Sequence, residues 1–205
     1  MPNFQKKYDD SMKDPGYHFK IADMKKLDEF AQDFLTIYNN AWGGHGNFKV
    51  MKLEQSKAIV KALKPILAPE LAIFGYYKDE PIAFFIMIPD MNQIFKGYNG
   101  KFGLVQKIKT WIKLKRKSTT KCYGILFGIV RKQQGKGVDG GLIVAASKWL
   151  HPQNHWGHME MTWIGDFNPK MMNVATGIGG KVYKTYYTMR YLFDREKEFK
   201  RHPII

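Results

Sequence analysis

Several features that define large classes of proteins are scarce or missing in this chain of 205 residues. Cys122 is the only cysteine, so no disulfide can form within the chain, and the six histidines show no pair at a metal-ligand spacing. No run of eighteen apolar residues is present, so no membrane-spanning helix is expected. The opening MPNFQKKYDD lacks the apolar core of a secretory signal. These absences argue against a disulfide-rich secreted protein and against a bound metal, and they indicate a cytoplasmic protein.

Acidic residues are missing from one long stretch, between Asp90 and Asp139, where twelve lysines and arginines occur. The rest of the chain is close to neutral, although the net charge is +15. Cations gathered in one region create a positive field that attracts anionic ligands. CoA, nucleic acid and an anionic membrane surface all fit that description.

The composition indicates one packed domain, because 44% of the residues are hydrophobic and 15% are aromatic. We expect a single domain over residues 1–205, with a flexible start (1–15), a basic insertion between strands (89–120) and a charged tail (194–205).

The hydrophobic periodicity predicts a chain in which helices and strands are mixed. A helix begins at Leu27 and stops at the glycines 43 and 44, and a short helix follows Pro169. Further helices are predicted at 53–63, 102–117 and 138–150. Strands are predicted at 17–21, 71–77, 81–88, 122–130, 159–164 and 181–193.

The segment from Cys122 to Leu150 carries the strongest functional signal, because a buried strand, a glycine-bearing loop and a helix follow one another. Gly135 and Gly137 leave the backbone N–H groups unobstructed at the positive end of the helix dipole, which suits a phosphate or pyrophosphate. The dinucleotide pattern GxGxxG is not met, since Gly140 comes one residue early, and the P-loop pattern is absent. Cys122 itself is expected to be a small core residue.

The loop Lys132-Gln133-Gln134-Gly135-Lys136-Gly137 resembles the acyl-CoA pyrophosphate loop, Q/R-x-x-G-x-G/A, of the GCN5-related N-acetyltransferases. The segments YYKDEPIAFF and MTWIGDFNPKMMNVATGIGGK resemble two further parts of that family. The resemblance implies an α/β acyl-CoA N-acyltransferase fold, with a mixed, mostly antiparallel central sheet flanked by helices. The segments IYNNAW, PDMNQ and MTWI are similar to sequences of a less-studied bacterial branch of that family. In that branch the domain can form the C-terminal half of a longer protein.

The resemblance also implies a reaction, the transfer of an acetyl group from acetyl-CoA to an amine by direct attack. The thioester would lie in a gap between the strands at 122–130 and 159–164, and a backbone N–H near Val130 would polarise its carbonyl. The implied cofactor-binding residues are Ile129, Val130, Lys132, Gln133, Gln134, Gly135, Lys136, Gly137, Val138 and Asn168.

Two carboxylates are candidates for the general base, Glu160 first and Asp139 second. Glu160 is equally well explained as a solvated strand residue, and Asp139 is better explained as a first-turn acid that complements the helix dipole. The chain departs from the family in having Lys132 at the first loop position and Ala175 where a tyrosine acid is frequent. The final pair of strands is also compressed into the single stretch 181–193.

Other functions are compatible with the same residues. A non-catalytic domain of this shape would bind an anionic ligand or nucleic acid through the basic region, and a larger acyl group could replace acetyl. The helix at 102–117 is either a core helix with a solvated charged face or a cover on the acceptor side. A homodimer and a position as the C-terminal part of a longer chain also stay open.

Overall fold

A five-stranded sheet organises residues 2–160, the larger of two units into which the chain divides. The structure is a computed structural model that describes residues 2–43 and 48–200. The smaller unit begins at Met161, and each unit is described by itself.

The strands follow one another in the sheet in the order of the sequence. The first four strands are antiparallel neighbours. The turn between the second and third strands consists of Lys78 and Asp79, both with positive φ, as in the two-residue turns that match the twist of a hairpin. The strands are β1 (Tyr17–Ile21), β2 (Ala72–Tyr77), β3 (Glu80–Pro89), β4 (Lys121–Ile129) and β5 (His158–Met161).

Among the described residues, six α-helices lie in the larger unit and one lies in the smaller unit. They are α1 (Pro2–Ser11), α2 (Leu27–Trp42), α3 (Leu53–Leu63), α4 (Met91–Phe95), α5 (Leu104–Lys115), α6 (Val138–Leu150) and α7 (Pro169–Gly177).

Two of these helices cover opposite faces of the sheet. Phe84 of β3 stacks against Phe34 and Trp42 of α2. Phe19 of β1 projects to the other face, where it lies against Gly141 of α6 so closely that a Cβ at that glycine would be 2.4 Å from its ring. Because successive side chains of a strand alternate between faces, both surfaces of the sheet are buried, and the core has two layers.

Most of the predicted elements of the larger unit are confirmed. The strand at 17–21, the hairpin, and the helices at 53–63 and 138–150 all form, with changes of one or two residues at their ends. The helix α2 ends at Trp42 with Gly43 as its C-cap, and Gly44 lies outside the described residues.

Two segments contain helices that the sequence pattern does not predict. Residues 2–11, expected to be flexible, form α1, which buries Phe4 and packs against α6 near Gly140. The polar stretch after Pro89 forms the short helix α4, whose N-cap Asp90 accepts a hydrogen bond from the backbone N–H of Asn92. Both helices are too short to show a clear period, and tertiary contacts stabilise them.

The prediction of a final strand at 181–193 is wrong for the structure described here. This stretch has no helix or strand, and its tyrosines are exposed, among them Tyr187 with 81% of its surface accessible. A run rich in tyrosine fits a pleated strand, but a strand also needs a neighbour for its backbone groups, and the sequence of the segment cannot supply one.

None of the helices in the described part of the chain combines the length and the apolar composition required to cross a bilayer.

Candidate cofactor site

The loop that follows β4 is held by hydrogen bonds from two glutamines. After a short 3₁₀ turn at Arg131–Gln133, the side chain of Gln133 is buried, and its Oε1 accepts a hydrogen bond of 2.9 Å from the hydroxyl of Tyr17. The side-chain amide of Gln134 donates to the carbonyl oxygen of Ile129 at 3.1 Å. Both glutamines of the predicted cofactor loop therefore fix its backbone.

Gly135 and Gly137 take the left-handed conformation, with φ of 78° and 83°. Within the described part of the chain, the backbone N–H groups of residues 135–140 meet no acceptor, whereas that of Gly141 donates to Gly137. Gly137 is also the N-cap of α6, so these donors lie at the positive end of its dipole. Such a concave array of N–H groups binds anions.

Exposed cations accompany these donors. Arg131, Lys132 and Lys136 are all exposed, as are Gln134 and Gly135. The loop is therefore accessible and not enclosed in a packed interface. The donors and the cations together fit the pyrophosphate of an acyl-CoA.

The helix α1 forms one side of this loop. The side chain of Lys7 passes beside Gly137 and Gly140, where a Cβ at Gly140 would come within 2.5 Å of the Lys7 Cβ. Lys7 Nζ also lies 2.7 Å from Asp139 Oδ2. Asp139, the second candidate base, is thus paired with α1 in the first turn of α6.

Glu160, the first candidate base, lies at the opposite end of β4. Its Oε2 is 2.5 Å from Lys121 Nζ, and both side chains are mostly buried, with 14% and 16% of their surface accessible. The hydrogen bond that Lys121 donates to Glu160 raises the pKa of Lys121. Ile129 lies eight positions after Lys121, about 26 Å along the strand. The structure therefore does not bring Glu160 and the glycine loop together.

The strands β4 and β5 run side by side only where they start. The carbonyl oxygen of Thr120 accepts from the N–H groups of Gly157 and His158, at 2.8 and 3.2 Å. β5 ends after four residues, whereas β4 has nine. Among the described residues, the second half of β4 therefore has no strand neighbour on this edge.

The orientation of the β4 backbone changes one predicted role. The N–H of Val130 donates to the carbonyl oxygen of Ile82, on the β3 side, at 2.8 Å. Because N–H groups alternate along a strand, the N–H of Ile129 points to the opposite edge. In the part of the chain that the structure describes, β4 has no strand neighbour there. The donor near Val130 that faces this edge is therefore Ile129, and Val130 itself is already occupied.

Asn168 belongs to the smaller unit. It is the N-cap of α7, where its Oδ1 accepts a hydrogen bond of 3.1 Å from the backbone N–H of Met171. Ala175 lies on the same helix.

Solved structures with a similar fold include the aminoglycoside N-acetyltransferase AAC(6')-Iy in complex with a bisubstrate analogue of CoA. The TM-score is 0.54 at 13% identity, and the match covers 86% of this chain and 98% of that one. The same enzyme in complex with CoA matches with a TM-score of 0.53 at 13% identity, over 87% of this chain and 95% of that one. This chain has the acetyltransferase fold.

A further acetyltransferase fold of this kind is that of a possible acetyltransferase from Clostridium difficile 630. Its TM-score is 0.50 at 13% identity, with 86% of this chain and 96% of that chain covered. No family model matches the sequence. The fold confirms the mostly antiparallel sheet flanked by helices that the resemblance implies.

A similar curated protein is a bacterial ceramide synthase from Caulobacter vibrioides, 24% identical over 175 residues. The match covers 83% of this chain, but the chain spans only 45% of the length of that relative.

One feature of the site escapes sequence reasoning. The anchoring of Gln133 by Tyr17 joins residues 116 positions apart and leaves no local signal.

Proposed function

We propose that this chain transfers an acyl group from an acyl-CoA to the amine of a long-chain acceptor. The observation that carries the proposal is the accessible loop at 131–137, with unpaired backbone donors and three exposed cations at the start of α6. The acetyltransferase fold and the CoA complexes of similar structures support acyl transfer in general.

The residues divide into two groups by role. Gly135, Lys136, Gly137 and Val138 would hold the diphosphate through their N–H groups, with Lys132 and Lys136 adding charge. Gln133 and Gln134 would act indirectly, because they fix the loop that presents those donors. Asn168 stays a predicted cofactor contact.

The N–H of Ile129 would stabilise the oxyanion that develops on the thioester carbonyl at the open edge of β4. As the amine attacks, the new C–N bond forms and the C–S bond breaks, and the thiolate of CoA takes up a proton. The amine loses its own proton to a base or to water. The roles of Glu160 and Asp139 as that base stay predictions, and each would first have to leave an ion pair.

The chemistry of the acceptor is suggested by the name of the curated relative. A ceramide is the amide of a fatty acid and a long-chain amino alcohol, so its synthesis joins an acyl group to an amine. Acetyl, expected from the sequence, and a fatty acyl group are the two donors to compare, and the relative favours the fatty acyl group.

Cofactor binding is tested by Gly135→Val, with Gly97→Val as the matched control. Both glycines have positive φ and open space around the missing Cβ, so both substitutions introduce similar backbone strain of about 1–3 kcal/mol. Acyl-CoA at about 100 times its dissociation constant should stabilise the wild-type protein and Gly97→Val by about 2.7 kcal/mol, as measured by thermal unfolding. Gly135→Val should lose this stabilisation, and retention of the full effect would place the cofactor elsewhere.

Donor and acceptor are tested by mass spectrometry of the products. Acetyl-CoA and palmitoyl-CoA are each supplied with sphinganine or with a short aminoglycoside as the amine. The proposal expects the palmitoyl amide of sphinganine, and it expects Gly135→Val to abolish that product. Acetylation of the short amine alone would contradict the long-chain acceptor, and no amide from any pair would contradict acyl transfer.

A further inference from the structure

The helix α5 turns its apolar face to the solvent. Five large apolar side chains form this face, and Leu104 and Trp111 have 75% and 61% of their surface accessible. Thr110 is the one residue of α5 that is buried. The apolar face of α5 consists of Leu104, Val105, Ile108, Trp111 and Ile112.

The contacts of α5 with the protein come from its other side. Lys113 Nζ donates to the carbonyl oxygen of Ile94 at 2.8 Å, and the hydroxyl of Thr110 lies 3.3 Å from that of Tyr98. Lys117 Nζ donates to Gln153 Oε1 at 2.8 Å. At about 100° per residue, the attachment points within the helix, Thr110 and Lys113, lie roughly opposite the apolar face. The exposure of that face is therefore built into the way α5 is attached.

Cations flank the apolar face on both sides. Lys107 lies along one border, and Lys109 and Arg116 lie along the other, all of them exposed. Lys115 emerges among the apolar residues, with its Nζ 6.0 Å from the centre of the Trp111 ring. No acidic residue occurs anywhere between Asp90 and Asp139.

We propose that α5 lies in the plane of an anionic bilayer, with its apolar face among the acyl chains and its flanking cations at the lipid phosphates. An amphipathic helix binds an interface in this way when apolar area and positive charge act together, and tryptophan is favoured at that depth. The helix has 12 residues, which suits an interfacial segment and is too short for a span.

Nucleic acid is the weaker partner for this surface. Phosphate contacts would use the cations but would leave Leu104, Val105 and Ile108 in water. Stacking on bases needs exposed aromatic rings along the groove, and the apolar face of α5 offers only Trp111 among aliphatic side chains.

The helix α5 is attached at the end of β4 away from the glycine loop. Its neighbour α4 is attached to the start of β4, where the N–H of Asp90 donates to the carbonyl oxygen of Lys121 and the side chain of Gln93 bonds Thr120. The glycine loop lies at the other end of β4. Delivery of a membrane-borne amine to the end of β4 that carries the glycine loop rests on the proposed function. Binding of α5 to a bilayer does not depend on that function.

Flotation with vesicles of equal parts phosphatidylglycerol and phosphatidylcholine tests the inference. The full chain should bind these vesicles, and Leu104→Ser with Ile108→Ser should weaken the partition at least tenfold. Both side chains are at least half exposed, so the substitutions should leave the folded state intact. Val50→Ser, at a position with 70% of its surface accessible outside α5, is the matched control and should bind like the wild type.

Two further variants separate insertion from simple charge attraction. Replacing Lys107, Lys109 and Arg116 by glutamate should abolish binding to the anionic vesicles. On the wild-type protein, vesicles should shift tryptophan emission to shorter wavelength, and Trp111→Phe should remove most of that shift.

Three outcomes would overturn the inference. They are no binding of the wild-type protein to the vesicles, equal binding of the serine variant to the vesicles, and tighter binding of the wild-type protein to single-stranded DNA than to the vesicles. The thermal stabilisation by acyl-CoA does not depend on any of these three outcomes. A failure of the membrane proposal is therefore distinguishable from a failure of the proposed function.

Discussion

A partly buried pair, Tyr76 and Asp33, shows how the pKa of a residue depends on its surroundings. The hydroxyl of Tyr76 donates to Asp33 Oδ2 at 2.5 Å. Burial raises the pKa of Asp33, and this effect exceeds the opposite effects of the hydrogen bond from Tyr76 and of the nearby Lys20. Burial also raises the pKa of Tyr76, so the tyrosine stays protonated.

The raised pKa of Asp33 predicts how the free energy of unfolding depends on pH. The folded state holds the proton of Asp33 more strongly than the unfolded chain does, so the contribution of Asp33 to stability is greatest below pH 3.8 and falls as the pH rises through the folded pKa. Asp33→Asn keeps an acceptor for Tyr76 and removes this dependence. We expect the variant to be more stable than the wild type at pH 7, by less than about 1 kcal/mol because Asp33 is only half-buried.

Urea unfolding at pH 3.5 and pH 7 measures this difference. The advantage of Asp33→Asn should be present at pH 7 and absent at pH 3.5. Asp10→Asn is the control, since its partner Lys13 lowers the pKa of Asp10, so this exchange should not stabilise the protein at pH 7. An advantage of Asp33→Asn that is equal at both pH values would contradict the account.

Cys122 illustrates the same effect on a thiol. Burial raises its pKa to about 11, so at neutral pH the side chain is an uncharged thiol. Its burial in the core agrees with the prediction of a small core residue.

Among the elements, the hairpin of β2 and β3 shows strand pairing overriding the backbone preference of its turn residues. Lys78 and Asp79 adopt φ of 50° and 64°, which residues with a Cβ adopt at some cost. Asn and Gly are the residues that this turn favours, and neither is present. The pairing of the flanking strands therefore imposes the turn on residues that disfavour it.

Replacing the pair by Lys78→Asn with Asp79→Gly should stabilise the protein by about 1 kcal/mol, seen as a rise of about 2–4 °C in melting temperature. The lost contacts are exposed, among them the 3.9 Å approach of His18 Nε2 to Asp79 Oδ1, and contribute little. Valine at both positions should destabilise the protein, because a β-branched residue disfavours positive φ. A lower melting temperature for the Asn–Gly variant would show that the turn is not strained.

The helices α2 and α5 have similar sequence patterns, but only the apolar face of α2 is buried. In α2, Phe30, Ala31, Phe34 and Ile37 are buried against the sheet. In α5, the apolar residues are exposed and the polar side is attached. The interpretation of 102–117 as a core helix is therefore wrong, and its expected place on the acceptor side stays a prediction. Periodicity shows that a helix has an apolar face, but not what covers it.

For the whole molecule, the net charge of +15 bears on how fast anionic ligands arrive. Charges across the protein add to one potential that steers an anion before contact, while short-range bonds hold it afterwards. Salt shortens the reach of that potential from about 10 Å at 0.1 M to about 3 Å at 1 M.

We therefore expect the association rate constant of CoA to fall about tenfold between about 0.05 and 0.5 M salt, as measured by stopped-flow fluorescence. The dissociation rate constant should change less. Exchange of the four cations Lys113, Lys115, Arg116 and Lys117 for glutamate should slow association at low salt, although these residues lie outside the glycine loop. An unchanged association rate in that variant would limit the steering to the loop itself.

The sequence by itself determined the features that depend on neighbouring residues. The spacing of Gly135 and Gly137 after a strand predicts an exposed array of backbone N–H groups, because left-handed glycines at a helix start expose such groups. That this array binds an anion stays a prediction. The helical periods of α3 and α6 and the continuous apolar runs of β2 and β3 predict elements that the structure confirms.

Only the tertiary structure decided which groups are already occupied by a partner. Pairing with β3 turns the N–H of Val130 inward and that of Ile129 outward, ion pairs engage Glu160 and Asp139, and α1 covers one side of the loop. The same contacts leave the apolar face of α5 exposed. Each of these outcomes joins residues distant in the chain, and local patterns carry no information about such partners.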